Sequence, residues 1–281
     1  MADVPMTAAS QLAAIVPEIW SRSYYDVLLE GLAFRSLLGT DYEGEIRDLG
    51  DTVNVSSFPQ FTDGNDVAET ADNDAEAVTV TGQQLVINHR IAKDFILTRL
   101  AMAQSLEAMN KLRDLAIYSI MKKIEKLIIA AIVPNAAAPD HSIAYTTGTT
   151  LALVDILNAK ELLDAANVAQ ENRHMVLGSA QMNDVFNIAG FTSSDFLLAG
   201  APLQTGQLPA ALLGFAPHLT TLVGNVSYFF HPSFMTFAAQ EGMAVNQYDL
   251  GGLNGKRQLR VNVDTLVGFK QLDGKRVVSI S

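Results

Sequence analysis

Apolar residues recur at spacings of three and four through Trp20, Tyr24, Val27, Leu28 and Leu32, which predicts an amphipathic helix. Pro17 suits its first turn, Glu18 complements the helix dipole there, and Gly39 after Leu38 is the expected C-terminal cap. Residues 1–16 have no such period and read as a flexible arm. The period then changes to two. Residues 50–58 alternate polar and apolar up to Pro59, and residues 77–88 alternate again. Between them lies a long polar tip that includes Asp63, Asp66, Glu69, Asp72, Asp74 and Glu76. Two strands joined by such a tip predict a long hairpin. From Asp48 to Asn88 there are eight acids and no Lys or Arg. An arm this polar has little apolar surface for a core of its own, so it is expected to project and lie on something else.

No Gly or Pro occurs between Gly82 and Pro134. Within that stretch Thr98 is a candidate cap, and Leu100, Ala103, Leu106, Met109, Leu112, Ala116, Ile117, Ile120, Ile124, Leu127, Ile128 and Ala131 follow at helical spacing. This predicts one helix of about 35 residues, roughly 50 Å long at 1.5 Å per residue. Its Met and Leu stripe reads as core packing. Lys111, Lys122 and Lys126 fall near one another on the polar side, with Lys123 and Arg113 offset.

Beyond the break at Pro134–Pro139 the pattern mixes helices with strands. A helix is expected over 151–169, a short buried strand over 173–177, and a helix over 179–189 with Ser179 as its N-cap. The Gly- and Pro-punctuated stretch 190–217 reads as loops. Strands are expected over 219–223, 228–230, 235–239, 243–249, 258–263, 265–271 and 276–280, with Asp273-Gly274 as a hairpin turn between the last two. The fold class is therefore α+β. No internal repeat is visible.

Composition narrows the function classes. The 281 residues are 49% hydrophobic and only 17% charged, too apolar for a disordered chain. There is no Cys, hence no disulfide, no thiolate metal site and no thiol nucleophile. The N-terminus lacks the basic segment and apolar core of a secretory signal, and the longest apolar run, Leu127 to Pro134, is far short of a membrane span. A soluble protein, made in a reducing cytoplasm or indifferent to redox state, is expected. The net charge of −11 argues against gripping nucleic acid by its phosphates. That total averages blocks of opposite sign: residues 41–90 carry a net −9, 91–133 a net +3, 134–252 a net −7 and 253–281 a net +4. An acidic block followed by a basic one fits pairing between subunits, although two solvated faces would look the same.

Candidate chemistry is sparse. None of His89, His141, His174, His218 and His231 has another His or a carboxylate at the i+3 or i+4 position of a helical metal site. His174 reads as a satisfied core histidine in a strand. The run Gly251 to Arg257 fails the phosphate-loop pattern, and Gly178-Ser179-Ala180 lacks the glycines of a nucleophile elbow. The acid-rich tip does not match calcium-loop spacing. No catalytic, cofactor or metal site is assigned, and no cofactor is expected.

The order of elements carries more information. The arm helix runs Pro17-Glu-Ile-Trp-Ser to Tyr24-Tyr-Asp-Val-Leu-Leu, and Gly50-Asp-Thr-Val-Asn-Val to Phe58-Pro enters the extended loop. The spine helix covers Leu100 to Ala131, and the terminus reads Val267-Gly-Phe-Lys-Gln-Leu-Asp-Gly-Lys-Arg-Val-Val-Ser-Ile. In order and character, over nearly the whole chain, this resembles the major capsid proteins of tailed bacteriophages. The resemblance implies an N-terminal arm (1–42), an extended hairpin loop (43–92), a peripheral domain with the spine helix (93–145), an axial α/β domain (146–242) and terminal strands returning to the peripheral domain (243–281). It implies self-assembly into pentamers and hexamers that close an icosahedral shell, a virion capsid assembled in the host cytoplasm. The shell would enclose double-stranded DNA without sequence-specific binding, would involve no membrane, and would have a portal and decoration proteins as partners. The chain has no room for a long scaffold segment before the arm, so a separate scaffolding protein is expected. Some members of the family crosslink neighbours through a Lys of the extended loop; this loop has none, so no covalent crosslink is expected.

The candidate intersubunit contacts are Trp20 and Tyr24 on the arm, the acids Asp63, Asp66, Glu69, Asp72, Asp74 and Glu76 on the loop, and Lys111, Lys122, Lys123 and Lys126 on the spine. The loop acids of one subunit are expected to face the spine lysines of another. Two other readings compete: an encapsulin-like shell with protein cargo, and an α+β metal-assisted hydrolase using the acidic tip.

Overall fold

The computed structural model describes residues 29–42, 52–58, 61–64, 66–67, 75–98, 106–188, 208, 211–250 and 258–281. The chain divides into two compact units, residues 1–30 and 31–281. The second unit contains α1 (Phe34–Leu37), β1 (Thr52–Ser57), β2 (Thr81–Val86), β3 (His89–Thr98), α2 (Leu106–Ala130), β4 (Ser142–Ile143), α3 (Leu153–Ala165), β5 (Arg173–Leu177), α4 (Ser179–Asn187), β6 (Phe215–Leu219), β7 (Ser227–Phe230), β8 (Met235–Leu250), β9 (Gln258–Gln271) and β10 (Val277–Ile280).

The hairpin forms as expected. β1 and β2 are antiparallel, with Thr52 opposite Val86 and Ser57 opposite Thr81. The alternation that shapes β2 continues into a further strand that the sequence reading does not assign. Leu85 and Ile87 are buried, and His89, Ile91 and Phe95 point the same way, while the even-numbered residues between them are exposed. This is β3, the first strand of a three-stranded antiparallel sheet ordered β3-β9-β8. Gln83 to Leu97 thus carries a period-two signal where absence of Gly and Pro alone suggests an approach to a helix.

The described part of the spine helix α2 has 25 residues. It ends where expected: the Ala131 N–H is shared between the carbonyls of Leu127 and Ile128 at 3.1 and 3.0 Å. Thr98, the expected cap, closes β3 instead, and Leu100 and Ala103 lie outside the described residues. Ala116, Ile120, Ile124 and Ile128 recur every four residues on one face and pack on Val263 and Val267 of β9 and on Phe34, Phe230, Phe234 and Phe237. At roughly 1.5–3 kcal/mol for each large apolar side chain, this is the main stabilising contact of the helix.

A second sheet, ordered β4-β10-β7-β5-β6, separates this core from another. Neighbouring residues on its strands face opposite ways. Phe230, Val277 and Val176 join the spine-helix core, whereas Phe229, Val278, Met175 and Leu177 pack on Ile156, Ala159 and Leu163 of α3 and Val185 of α4. A sheet buried on both faces needs continuous apolar strands, which is why β10 reads Val-Val-Ser-Ile with every residue buried.

Several expectations are corrected. Of the long arm helix, the described part is only α1; residues 29–33 are not helical, Leu38 is extended, and Gly39 is no cap but bridges Thr236. α4 is capped by Gly178, not Ser179, because a Cβ at 178 would collide with the carbonyl oxygen of Gly224. Residues 219–223 are the end of β6 followed by a 3-10 turn at Thr221–Val223, and Pro217 sits within β6, which tolerates it as an edge strand. The separate strands 235–239 and 243–249 are one strand, β8, with bulges near Glu241, and 258–263 and 265–271 are one strand, β9. Asp273-Gly274 makes no hairpin. The Asp273 carboxylate accepts the Lys275 N–H at 2.9 Å, a 3-10 turn follows, and β10 departs to the other sheet.

Candidate assembly surfaces

The hairpin has a root and a tip of opposite character. At the root Leu85 and Ile87 bury against Ala238 of β8, with Tyr42, Val53 and Leu266 around them. The backbone there comes so close to β9 that a Cβ on Gly268 would stand 2.5 Å from the Val86 carbonyl oxygen. The Gln83 side-chain amide donates to the Leu272 carbonyl at 2.8 Å, tying β2 to the end of β9. Outward from the root the described part of the arm is open: Phe58 is 74% exposed and Phe61 64%, and Val78 and Val80 are also exposed.

Asp63, Asp66 and Glu76 are exposed on this arm. The Glu76 carboxylate accepts the Thr62 N–H at 3.0 Å and its hydroxyl at 2.9 Å, so one of the candidate contact acids also latches the two sides of the loop. Glu69, Asp72 and Asp74 lie outside the described residues, as do Trp20 and Tyr24. On α2, Lys123 and Lys126 are exposed, and Lys111 and Lys122 are partly so. Among the described residues, no ion pair within the chain joins Asp63, Asp66 or Glu76 to Lys123 or Lys126.

Three features that sequence reasoning missed flank these surfaces. On the solvent face of the three-stranded sheet, Arg90 pairs with Asp264 at 2.9 Å, and Asp94 accepts from Arg260 and Asn262. Those bonds hold the Asp94 carboxyl below the usual range and raise the Arg90 guanidinium. The residues alternate in two strands, but only the register makes them neighbours. At the far end of this sheet Ile96 and Tyr248 are exposed on the solvent face, and on the opposite face lies a groove of about 440 Å³ lined by Phe95, Arg113, Ile117, Val245, Gln247 and Val261. Lastly, Glu125, on the spine helix but buried, accepts the N–H groups of Phe34 and Arg35 at 3.0 and 2.9 Å. Burial raises its carboxyl, against the pull of those hydrogen bonds. An acid beside Lys126 on a basic helix gives no hint of this in the sequence.

Among the described residues no three metal-ligating side chains converge, and no helix is long and apolar enough to cross a membrane. The surfaces are built for contact: an arm with exposed aromatics and acids, a helix with exposed lysines, and a sheet with an apolar end.

The sequence profile of a family described as phage capsid protein matches residues 60–245. The chain belongs to that family. It is a major capsid protein, a structural protein whose copies associate into the capsid shell of a phage virion. The resemblance seen in the order of its elements is thereby upheld, and neither the nanocompartment reading nor the hydrolase reading is favoured. Solved structures share the fold. A chain of Mycobacterium phage Che8 superposes with a TM-score of 0.76 at 23% identity, over 95% of this chain and 97% of that one. A chain in the capsid structure of cyanophage P-SCSP1u gives 0.74 at 10% identity, over 96% and 94%. One from the capsid asymmetric unit of cyanophage Pam1 gives 0.72 at 14% identity, over 100% and 98%. No curated protein sequence matches this capsid protein. At such identities the likeness carries the fold and nothing about individual contacts. The capsid protein's contact residues rest on the geometry of its own arm, helix and sheet.

Proposed function

We propose that this capsid protein forms pentamers and hexamers that close an icosahedral head around double-stranded DNA, held without sequence-specific contact. Its domains are the arm 1–42, the loop 43–92, the peripheral domain 93–145, the axial domain 146–242 and the terminal strands 243–281. A separate scaffolding protein guides assembly in the host cytoplasm, and portal and decoration proteins complete the particle. One observation carries the reading: the hairpin arm is anchored at its root, and among the described residues Phe58 and Phe61 have no core of their own subunit to pack on. Such an arm gains stability only by lying on a neighbour. Its acids are complementary to the exposed lysines of a neighbouring spine helix. Each exposed ion pair contributes about 0–1 kcal/mol, but a closed shell repeats it at every equivalent contact.

Electron microscopy of the chain expressed with and without the scaffolding protein of its phage tests this. Closed shells with five- and sixfold capsomers are expected with the scaffold and not without it. A monomer by sedimentation under both conditions overturns the assembly reading, and uniform shells from the chain alone overturn the scaffold requirement. A ladder of multimers surviving boiling in SDS would contradict the absence of a loop crosslink.

A further inference from the structure

β6 is the edge strand of the five-stranded sheet and runs parallel to β5, with His174 opposite Ala216 and Val176 opposite His218. His174 and His218 are therefore diagonal neighbours on one face, and their rings meet. His174 Nδ1 lies 3.2 Å from His218 Nε2, with ring centroids 5.2 Å apart and planes inclined by 53°. The ring of Phe230 stands 6.0 Å from that of His174 and walls one side. Both histidines are half-buried.

We propose that His174 and His218 form a two-imidazole site for a divalent transition metal such as zinc, nickel or copper, which staples edge strand β6 to β5. Two nitrogens 3.2 Å apart, each about 2.05 Å from a shared zinc ion, subtend about 103°, close to the tetrahedral angle. The bite is thus set by the backbone register. Burial lowers the pKa of both rings, and that of His174 is lowered further by His218 and His231, so at neutral pH both are uncharged ligands. The proton now shared between the rings stays on the pair when metal binds: the ring that donates it takes the other tautomer, and no net proton leaves. Water fills the remaining coordination positions. Neighbouring cations point elsewhere. Arg173 donates to the Val168 and Ala169 carbonyls and pairs with Asp164 at 2.7 Å, and Arg276 donates to the Ser233 hydroxyl. His231 shares that hydroxyl at 2.7 Å. An imidazole pair without carboxylates selects zinc, nickel or copper over magnesium or calcium, which require oxygen ligands. Bound metal stabilises the state that holds both strands by mass action.

Zinc titration calorimetry and thermal unfolding of assembled, chelator-treated shells test the site, with magnesium as the comparison. The expected result is saturable zinc binding that raises the unfolding midpoint, is reversed by EDTA, is not reproduced by magnesium, and weakens at least tenfold in both His218→Phe and His174→Gln. Unchanged zinc affinity in either variant overturns the proposal, as does the absence of zinc binding to the parent shell. If either variant does not assemble, X-ray absorption of zinc-loaded parent shells decides. Two imidazole nitrogens at about 2.0–2.1 Å support the site, and an all-oxygen ligand set overturns it.

Discussion

The Glu125 carboxylate accepts the backbone N–H of Phe34 at 3.0 Å, across 91 residues of sequence. It takes the Arg35 N–H as well, at 2.9 Å, and is itself only 2% exposed. A buried acid on the spine helix therefore fixes the chain entering α1 and seats the Phe34 ring in the core, stacked 5.7 Å from Phe230.

Replacing Glu125 with Leu should leave the buried Phe34 N–H and the partly buried Arg35 N–H without this acceptor and destabilise the subunit by about 1–3 kcal/mol for the buried one and less for the other, read from urea unfolding. Glu125→Gln keeps an acceptor and should be milder. The pH dependence separates the two effects. The folded chain holds the Glu125 proton above the ordinary value of 4.5, so this group's contribution is complete below about pH 4.5 and is lost as pH rises through the raised folded value. Glu125→Gln should flatten stability against pH just above 4.5; an unchanged slope would disprove the assignment.

Asp94 has the opposite sign. Its carboxyl is held below its ordinary 3.8 by hydrogen bonds from Arg260 and Asn262. That contribution is present above pH 3.8 and is lost as pH falls through the lower folded value. Asp94→Asn should therefore be less stable than the parent above pH 3.8, with the two profiles converging on the acidic limb. Because the pair is exposed, the difference from the parent should shrink in high salt.

Gly268→Val places a side chain against the Val86 carbonyl oxygen and the Ile87 Cα, the latter 2.9 Å from the first added atom. The hairpin root must lift off β9, at about 1–3 kcal/mol. We expect a lower unfolding midpoint and a larger loss of assembled shells, scored by sedimentation, since the displaced arm misses its neighbour.

Lys126→Glu should reduce shell yield and make the residual assembly less sensitive to ionic strength. Asp66→Lys in the same chain should restore part of the loss, with each contact contributing about 0.2–1 kcal/mol. Yields that are additive, with no recovery in the double variant, would show that these two residues do not face each other.

Local pattern was sufficient for much of this protein. The four-residue recurrence of Ala116, Ile120, Ile124 and Ile128 determines a helix by itself, and alternation from Thr52 to Ser57 determines a strand, because both periods reflect which side of one element is apolar. The acidic hairpin, the basic spine and the order of elements were equally legible, and with them the class of protein. Strand partners beyond the β1–β2 hairpin were not. The Asp273-Gly274 pair is a turn in either arrangement, and only the two cores on either face of the central sheet draw β10 away from β9. The hidden role of Glu125, the Arg90–Asp264 and Asp94–Arg260 pairs, and the meeting of His174 with His218 all join residues 44 or more positions apart. Sequence determined which side chains this protein carries and which way each element faces. Register and packing alone decided which of them touch, because contact distances of about 3 Å depend on the sum of every intervening chain direction.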